Sequence, residues 1–511
     1  MANAMDHVLV SAGGKFSDHT ESKPADVARI LGLAKAKAPP KGLLLHFHGG
    51  LIPKADGFEI AETLTSVYED AGVYPLFFVW ESGFFETLLN NKADLLRDPA
   101  FQELVKKVSE WVLKKTGGSV TFKGAAGSAV DTERLRKEYD EWFGQARSTP
   151  PVPDHDVSAP KVVSRGAEHQ SVDDLATEIE AGLDEDPDPD FKRAMEEAFN
   201  AQLPPDAVAT RGAGTRARAD ILLLSPEAQA EMFSKGPAVT TRGGILAWYA
   251  VAKFVAKVVI AVLKRYSQGR DHGVYCTVVE EVLRFAYGGL VGASVWNQMK
   301  KDTADSFEPG DSYCGSGVVG QLKKLQDQGQ AFPQLTLVGH STGAIFICNF
   351  LDAAAAAGLT TPIKIVFLAP AVTHQRFAAA LRAHAGTPRM AAFRMFGMLD
   401  ATECEDKLFG ILYTRSLLYF VSGLTESGVQ DGEWQPHIDK ELVGLQRYLL
   451  NPAYAGSDFA DVKRVKDFLA AEAHRAVWSP AADGPGLSSQ SRRHGDCDND
   501  APTLASVQAF L

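Results

Sequence analysis

The sequence predicts an α/β protein: a doubly wound, mostly parallel sheet carrying a large, mainly helical insertion. Three observations support this. Short, nearly continuous apolar runs recur with turn residues at their C-terminal ends: GLLLHFHGG (Gly42 to Gly50), YPLFFVWES (Tyr74 to Ser82), QLTLVGHS (Gln334 to Ser341) and IKIVFLAPA (Ile363 to Ala371). Strands covered by helices on both faces have this character. Helical periodicity fills the gaps, EIAETLTSVYEDAG between the first two runs and AIFICNFLDAAAAAG between the last two, which is the alternation of βαβ units. Residues 83 to 333 separate the second run from the third, far more than the roughly dozen residues a crossover needs.

Taken in order, 1–82 forms the first part of the core, 83–332 the insertion and 333–511 the second part of the core. MAAFRMFGMLD (Met390 to Asp400) and HRAVWSPA (His474 to Ala481) read as two further strands, and APTLASVQAFL as a terminal helix. Helical material between Lys407 and Glu472 marks 407–472 as a possible second cap element. The insertion opens helically with FQELVKKVSEWVLKK, but 144–170 contains STPPVPDHD and little apolar periodicity, the composition of a flexible surface segment. GILAWYAVAKFVAKVVIAVLKRY is the most hydrophobic stretch, yet Lys253, Lys257 and Lys264 interrupt it along one helical stripe. A membrane span would carry each lysine into hydrocarbon at a cost of about 3 kcal/mol. The stretch therefore reads as a helix buried on most of its circumference, with peripheral membrane contact as the other reading.

Composition removes several function classes. Hydrophobic residues make up 45% and charged residues 23%, as in globular proteins, so disorder is local. The net charge of -12 opposes a nucleic-acid partner, whose phosphates need clustered Lys and Arg. The 5 cysteines are widely spaced, with no C-x-x-C and no His at ligand spacing, which predicts free, mostly buried thiols in a reducing compartment and no metal site. The N-terminal MANAMDHVLVSAGGKFSDHT lacks the basic start and long apolar core of a secretory signal, so the expectation is a cytoplasmic protein, with signal-independent export as the other route. No P-loop, no H-E-x-x-H helix and no EF-hand ligand pattern is present. GSGVVG, Gly315 to Gly320, matches G-x-G-x-x-G but follows polar, turn-like DTADSFEPGDSYC rather than a strand. It is expected to be a loop leading into a helix, and no cofactor is predicted.

The chemistry concentrates in LTLVGHSTGAIFI, Leu335 to Ile347. A nucleophilic serine needs a turn that lifts its hydroxyl clear of the sheet, a base for its proton and donors for the oxyanion. In G-x-S-x-G the serine occupies a strained strand-to-helix turn, and the flanking glycines remove side chains that would clash. Here Gly339, His340, Ser341, Thr342 and Gly343 follow a strand pattern and open a helix pattern. The expected oxyanion donors are the N–H of Thr342 and an N–H of the HFHGGL loop, among Gly49, Gly50 and Leu51, with His48 pinning that loop by a side-chain hydrogen bond. His340 is expected to pack beside the nucleophile.

HFHGGL, the G-H-S-T-G turn, a strand ending at Asp400 and a late RRHGDCDNDAPTL, in that order, resemble the α/β-hydrolase superfamily, particularly its esterase and lipase-like members. The resemblance covers roughly 40–82 and 333–511 of the chain. It implies an eight-stranded core with an inserted cap and a catalytic triad in chain order Ser, acid, His. On that pattern the base is His494, with His437 and His374 in reserve. The acid is Asp400, with Glu403, Glu405 and Asp406 as competitors in DATECED. The implied activity is a serine hydrolase cleaving carboxylic esters. The aromatic ESGFFETLL after the second strand suggests a lipophilic acyl or aryl group. Acyl transfer on the same scaffold, a lipid substrate at a membrane surface and a non-catalytic binding protein are the alternatives.

Overall fold

The computed structural model describes residues 4–50, 52–80, 105–109, 244–287, 290–408, 413–426 and 439–511, with short pieces between 128 and 162. Seven strands form one sheet: β1 (Val8–Ser11), β2 (Leu43–Phe47), β3 (Tyr74–Trp80), β4 (Leu335–His340), β5 (Ile363–Leu368), β6 (Ala392–Met398) and β7 (Ala476–Ser479). Their order is β1-β3-β2-β4-β5-β6-β7, and every pairing is parallel. The direction of winding reverses between β2 and β4, so the crevice beyond their C-terminal ends is where a doubly wound sheet places a ligand.

The alternation of side chains along each strand builds two apolar layers. Leu43, Leu45 and Phe47 face one side with Leu335 and Leu337, under α1 (Pro24–Lys37) and other helices of that layer. Leu44, Phe77, Val79, Val338 and Val366 face the other, under α2 (Lys54–Asp70) and the terminal helix. Fully burying each such side chain stabilises the fold by about 1.5–3 kcal/mol.

In the insertion, α3 (Gly244–Ser267) is followed by α4 (Val274–Tyr287) and α5 (Leu290–Asp305). From Phe254 onward α3 is buried on most of its circumference, with Lys257 exposed and Lys264 half-buried. Among the described residues no helix is long and apolar enough to cross a membrane. The G-x-G-x-x-G segment corrects the expected loop. It lies entirely inside α6 (Cys314–Asp327), where Gly315 lets the helix sit against the Phe307 ring; a Cβ there would come within 2.5 Å of it.

The second half supplies α7 (Gly343–Ala356), α8 (His374–His384), the short α9 (Asp400–Glu405) after β6, α10 (Leu417–Phe420), α11 (Arg447–Leu450), α12 (Ala460–Ala470) and the terminal α13 (Ala501–Phe510). The described sheet has seven strands where the resemblance implies eight, and its edge strand β1 has no counterpart in the sequence reading. All 5 cysteines are free and buried.

Buried charges join the insertion to the segment after β6. Arg265 of α3 meets Glu280 at 2.5 Å and Glu281 at 3.1 Å, with all three fully buried. His272 Nδ1 donates to Glu280 at 2.8 Å, and the Tyr413 hydroxyl to the same carboxylate at 2.5 Å. Burial opposes ionisation of Glu280, but Arg265 and His272, with the hydrogen bonds from His272 and Tyr413, outweigh it and hold the group at about 2.

Candidate active site

Ser341 sits at the tip of β4 with φ +52°, in the left-handed region that costs an L-residue roughly 1–2 kcal/mol. Its main chain is tied on both sides: the N–H donates to the Leu368 carbonyl at 2.8 Å, and its carbonyl accepts from Ala371 at 3.0 Å and Ala344 at 3.2 Å. The two flanking glycines are sterically required. A Cβ on Gly339 would lie 2.6 Å from the Gly343 main chain, and one on Gly343 would lie 2.2 Å from the Phe47 carbonyl oxygen. Among the described residues the Ser341 hydroxyl makes no hydrogen bond.

The loop after β2 comes up beside this turn. A Cβ on Gly49 would stand 3.2 Å from His340 Nδ1 and 3.3 Å from Ser341 Cβ, so the absence of a side chain leaves room over the serine. The Gly50 N–H donates to Thr342 Oγ1 at 3.2 Å, clasping the loop to the residue after Ser341. That leaves the main-chain N–H groups of Gly49 and Thr342 without a hydrogen bond among the described residues. Leu51 lies outside them. His48 Nδ1–H donates to the Gly49 carbonyl at 2.6 Å, its Nε2 accepts from the Trp80 N–H at 3.2 Å, and its ring stacks on Trp80. Burial first, and then the neighbouring His340 charge, push its pKa down to about 4, so His48 is a neutral strut.

His494 is brought to the same turn from the loop after β7. Its ring lies 5.1 Å from the His340 ring, centroid to centroid. Both of its main-chain groups are held by side chains: the N–H donates to Asp406 Oδ2 at 2.8 Å, and the carbonyl accepts from His340 Nε2 at 3.0 Å. Neither ring nitrogen has a partner, and burial together with the His340 charge pushes the imidazole down to about 3. His494 is thus buried, neutral and uncommitted, although no hydrogen bond joins it to Ser341.

The four acid candidates separate by their surroundings. Asp400 begins α9 and accepts from the Tyr419 hydroxyl at 2.5 Å; no hydrogen bond joins it to His494. Asp406 is spent on the His494 main chain, and Glu405 is exposed. Glu403 is fully buried with neither carboxylate oxygen partnered. Burial drives its pKa well above the carboxylate range, and the neighbouring Ser416 hydroxyl offsets this only in part. Its carboxylate and the His494 ring both lack partners, so no hydrogen bond joins the two.

Of the reserve bases, His374 begins α8, fully buried against Tyr448, and His437 lies outside the described residues, as does ESGFFETLL. Among the described residues no group of three or more His, Cys, Asp or Glu is placed to hold a metal ion. Asp498 carries no signal in the sequence, being one acid among several in DCDND, yet its carboxylate lies 3.4 Å from His340 Nδ1. Compared with family models, with characterised proteins and with solved structures, the chain matches none.

Proposed function

We propose that the chain is a serine hydrolase that cleaves carboxylic esters, preferring lipophilic ones, through an acyl-enzyme on Ser341. The observation that carries this is the strained turn itself: a serine at φ +52° between a buried parallel strand and a helix, with both flanking glycines sterically required. A fold does not keep such strain at a sheet's switch point without some return.

In this reading His494 takes the Ser341 proton as Oγ attacks the ester carbonyl carbon. The oxyanion receives the N–H groups of Thr342 and Gly49. Collapse breaks the ester C–O bond, and the leaving alkoxide takes the proton from His494. Water, deprotonated by the same imidazole, then attacks the acyl carbon and releases Ser341 and the carboxylic acid.

We assign the acid to Glu403 in preference to Asp400. Burying an unpartnered polar group costs about 1–3 kcal/mol, and Glu403 and His494 are two such groups with complementary chemistry on adjoining segments. Paired, the imidazole N–H would hold Glu403 ionised and the carboxylate would stabilise the imidazolium. A panel of p-nitrophenyl esters of increasing chain length, run on wild type and Ser341→Ala, tests the reading. Turnover should favour longer chains and vanish in the variant; turnover retained without Ser341 would refute the mechanism, and equal turnover of short polar and long esters would refute the preference.

A further inference from the structure

Four histidines surround the elbow, and they are not equivalent. His46 points to the α2 side, its Nδ1 3.1 Å from the Tyr68 hydroxyl, and burial pushes its pKa down to about 3. His48 and His494 are likewise held neutral by burial. His340 alone faces a carboxylate. Its Nε2 must carry a proton, because the His494 carbonyl 3.0 Å away only accepts. Its Nδ1 faces Asp498 Oδ2 at 3.4 Å, and a lone pair there would be repelled by the carboxylate, so geometry calls for a proton on this nitrogen too.

We propose that His340 and Asp498 form a charged positioning pair that clamps the His494 loop to the nucleophile turn and keeps the base in its neutral form. The inference rests on the serine-hydrolase reading and adds a task for two residues outside the triad. His340 is adjacent to Ser341 in the chain, and Asp498 belongs to the loop that carries His494. The pair therefore ties nucleophile and base together from beneath. Both members are buried, His340 at 7% and Asp498 at 4% exposure, so their attraction is little screened.

The electrostatics agree with the geometry. Burial disfavours the His340 cation, but the Asp498 charge and the hydrogen bonds to Asp498 and to the His494 carbonyl overcome it, and its pKa is raised. Burial likewise opposes the Asp498 anion, yet His340 first and His46 after it hold the carboxyl below its ordinary value. The groups facing the pair are His46, His48 and Tyr68 on the β2 and α2 side and His494, Cys497 and Asn499 on the loop. None of these is an anion that would compete for the His340 charge. The cation in turn repels a proton on His494, which must be neutral to accept one from Ser341.

The test uses the full chain, a fluorophosphonate probe for labelling and ¹⁵N-imidazole NMR for the charge on His340. In wild type His340 should be protonated on both nitrogens at neutral pH. Asp498→Asn keeps a hydrogen-bonding side chain but removes the charge. His340 should then become neutral, and the acid limb of the labelling rate should move to higher pH, because the His340 repulsion that His494 loses outweighs the Asp498 attraction lost with it. His340→Gln keeps a donor for the His494 carbonyl and should shift the limb in the same direction and further, since the Asp498 anion stays, with most of its rate retained at alkaline pH. His340→Leu loses the clamp and should label roughly 10- to 100-fold more slowly at every pH, the scale of a misplacement of about 1 Å. A neutral His340 in wild type, or an acid limb that stays put in Asp498→Asn, overturns the pair. A folded wild type that carries the His340 cation but takes no label overturns the serine reading instead.

Discussion

Gly343→Ala tests the steric logic of the elbow, because the obstacle is main chain and cannot rotate away. The added methyl would sit 2.2 Å from the Phe47 carbonyl oxygen and 3.0 Å from its carbon, where ordinary contact begins at 3.4 Å. Phe47 lies in the middle of the sheet, paired with Phe78 on one side and Gly339 on the other, so β2 cannot retreat. The helix start must move instead, by about 1 Å, and Ser341 with it. Overpacking of this kind costs about 3 kcal/mol, at the upper end of the usual range, and a shift of about 1 Å at a reacting group costs roughly 10²-fold in rate. Gly320→Ala is the control. That glycine is exposed in α6 with nothing within 4 Å of a new Cβ, so the same substitution should stabilise by about 0.5–1 kcal/mol. Urea unfolding gives both values, and probe labelling gives the rate. A Gly343→Ala protein within about 0.5 kcal/mol of wild type and labelled at the wild-type rate would refute the account of the turn.

The acid assignment is decided by two isosteric substitutions: Glu403→Gln should slow labelling of Ser341 by roughly 10³- to 10⁴-fold, whereas Asp400→Asn should change it little, and the reverse order would return the role to Asp400. Glu280 sets a stability window. Its folded pKa of about 2 lies below its ordinary value of 4.5, so its contribution is present above pH 4.5 and lost as pH falls toward 2. Glu280→Gln should therefore cost about 3–5 kcal/mol at pH 7, with the gap to wild type closing across that window in pH-dependent denaturation; a gap independent of pH would contradict it.

The central strands and the elbow were legible because their signals are local. LLLHF, YPLFFVW, LTLVGH and IKIVFL are uninterrupted apolar runs, and the glycines around Ser341 announce a turn whose steric need the structure bears out in Gly339 and Gly343. β1 escaped because four residues, VLVS, are too few to show a period, and only pairing with β3 makes them a strand. The G-x-G-x-x-G segment misled in the opposite way. Of the glycines that suggest a loop, Gly315 is used in α6 for close packing on Phe307. The charged network of Arg265, Glu280 and Glu281 was hidden because each residue, read alone, belongs on a solvated helix face, and only the packing of α3 on α4 buries them together. Asp498 was invisible for the same reason, since its partner lies 158 residues away, and Asp406, read as a possible acid, gave no sign of its bond to the His494 main chain 88 residues on. The choice of Glu403 rests on burial without a partner, which no spacing encodes.

The central claim is that Ser341 is the nucleophile. Its most direct test is the intact mass and adduct site of the full chain after exposure to a fluorophosphonate. One adduct on Ser341 in wild type, and none in Ser341→Ala, is the predicted result. A folded wild type that stays unmodified while active serine hydrolases in parallel are labelled, or an adduct elsewhere that survives Ser341→Ala, would contradict it.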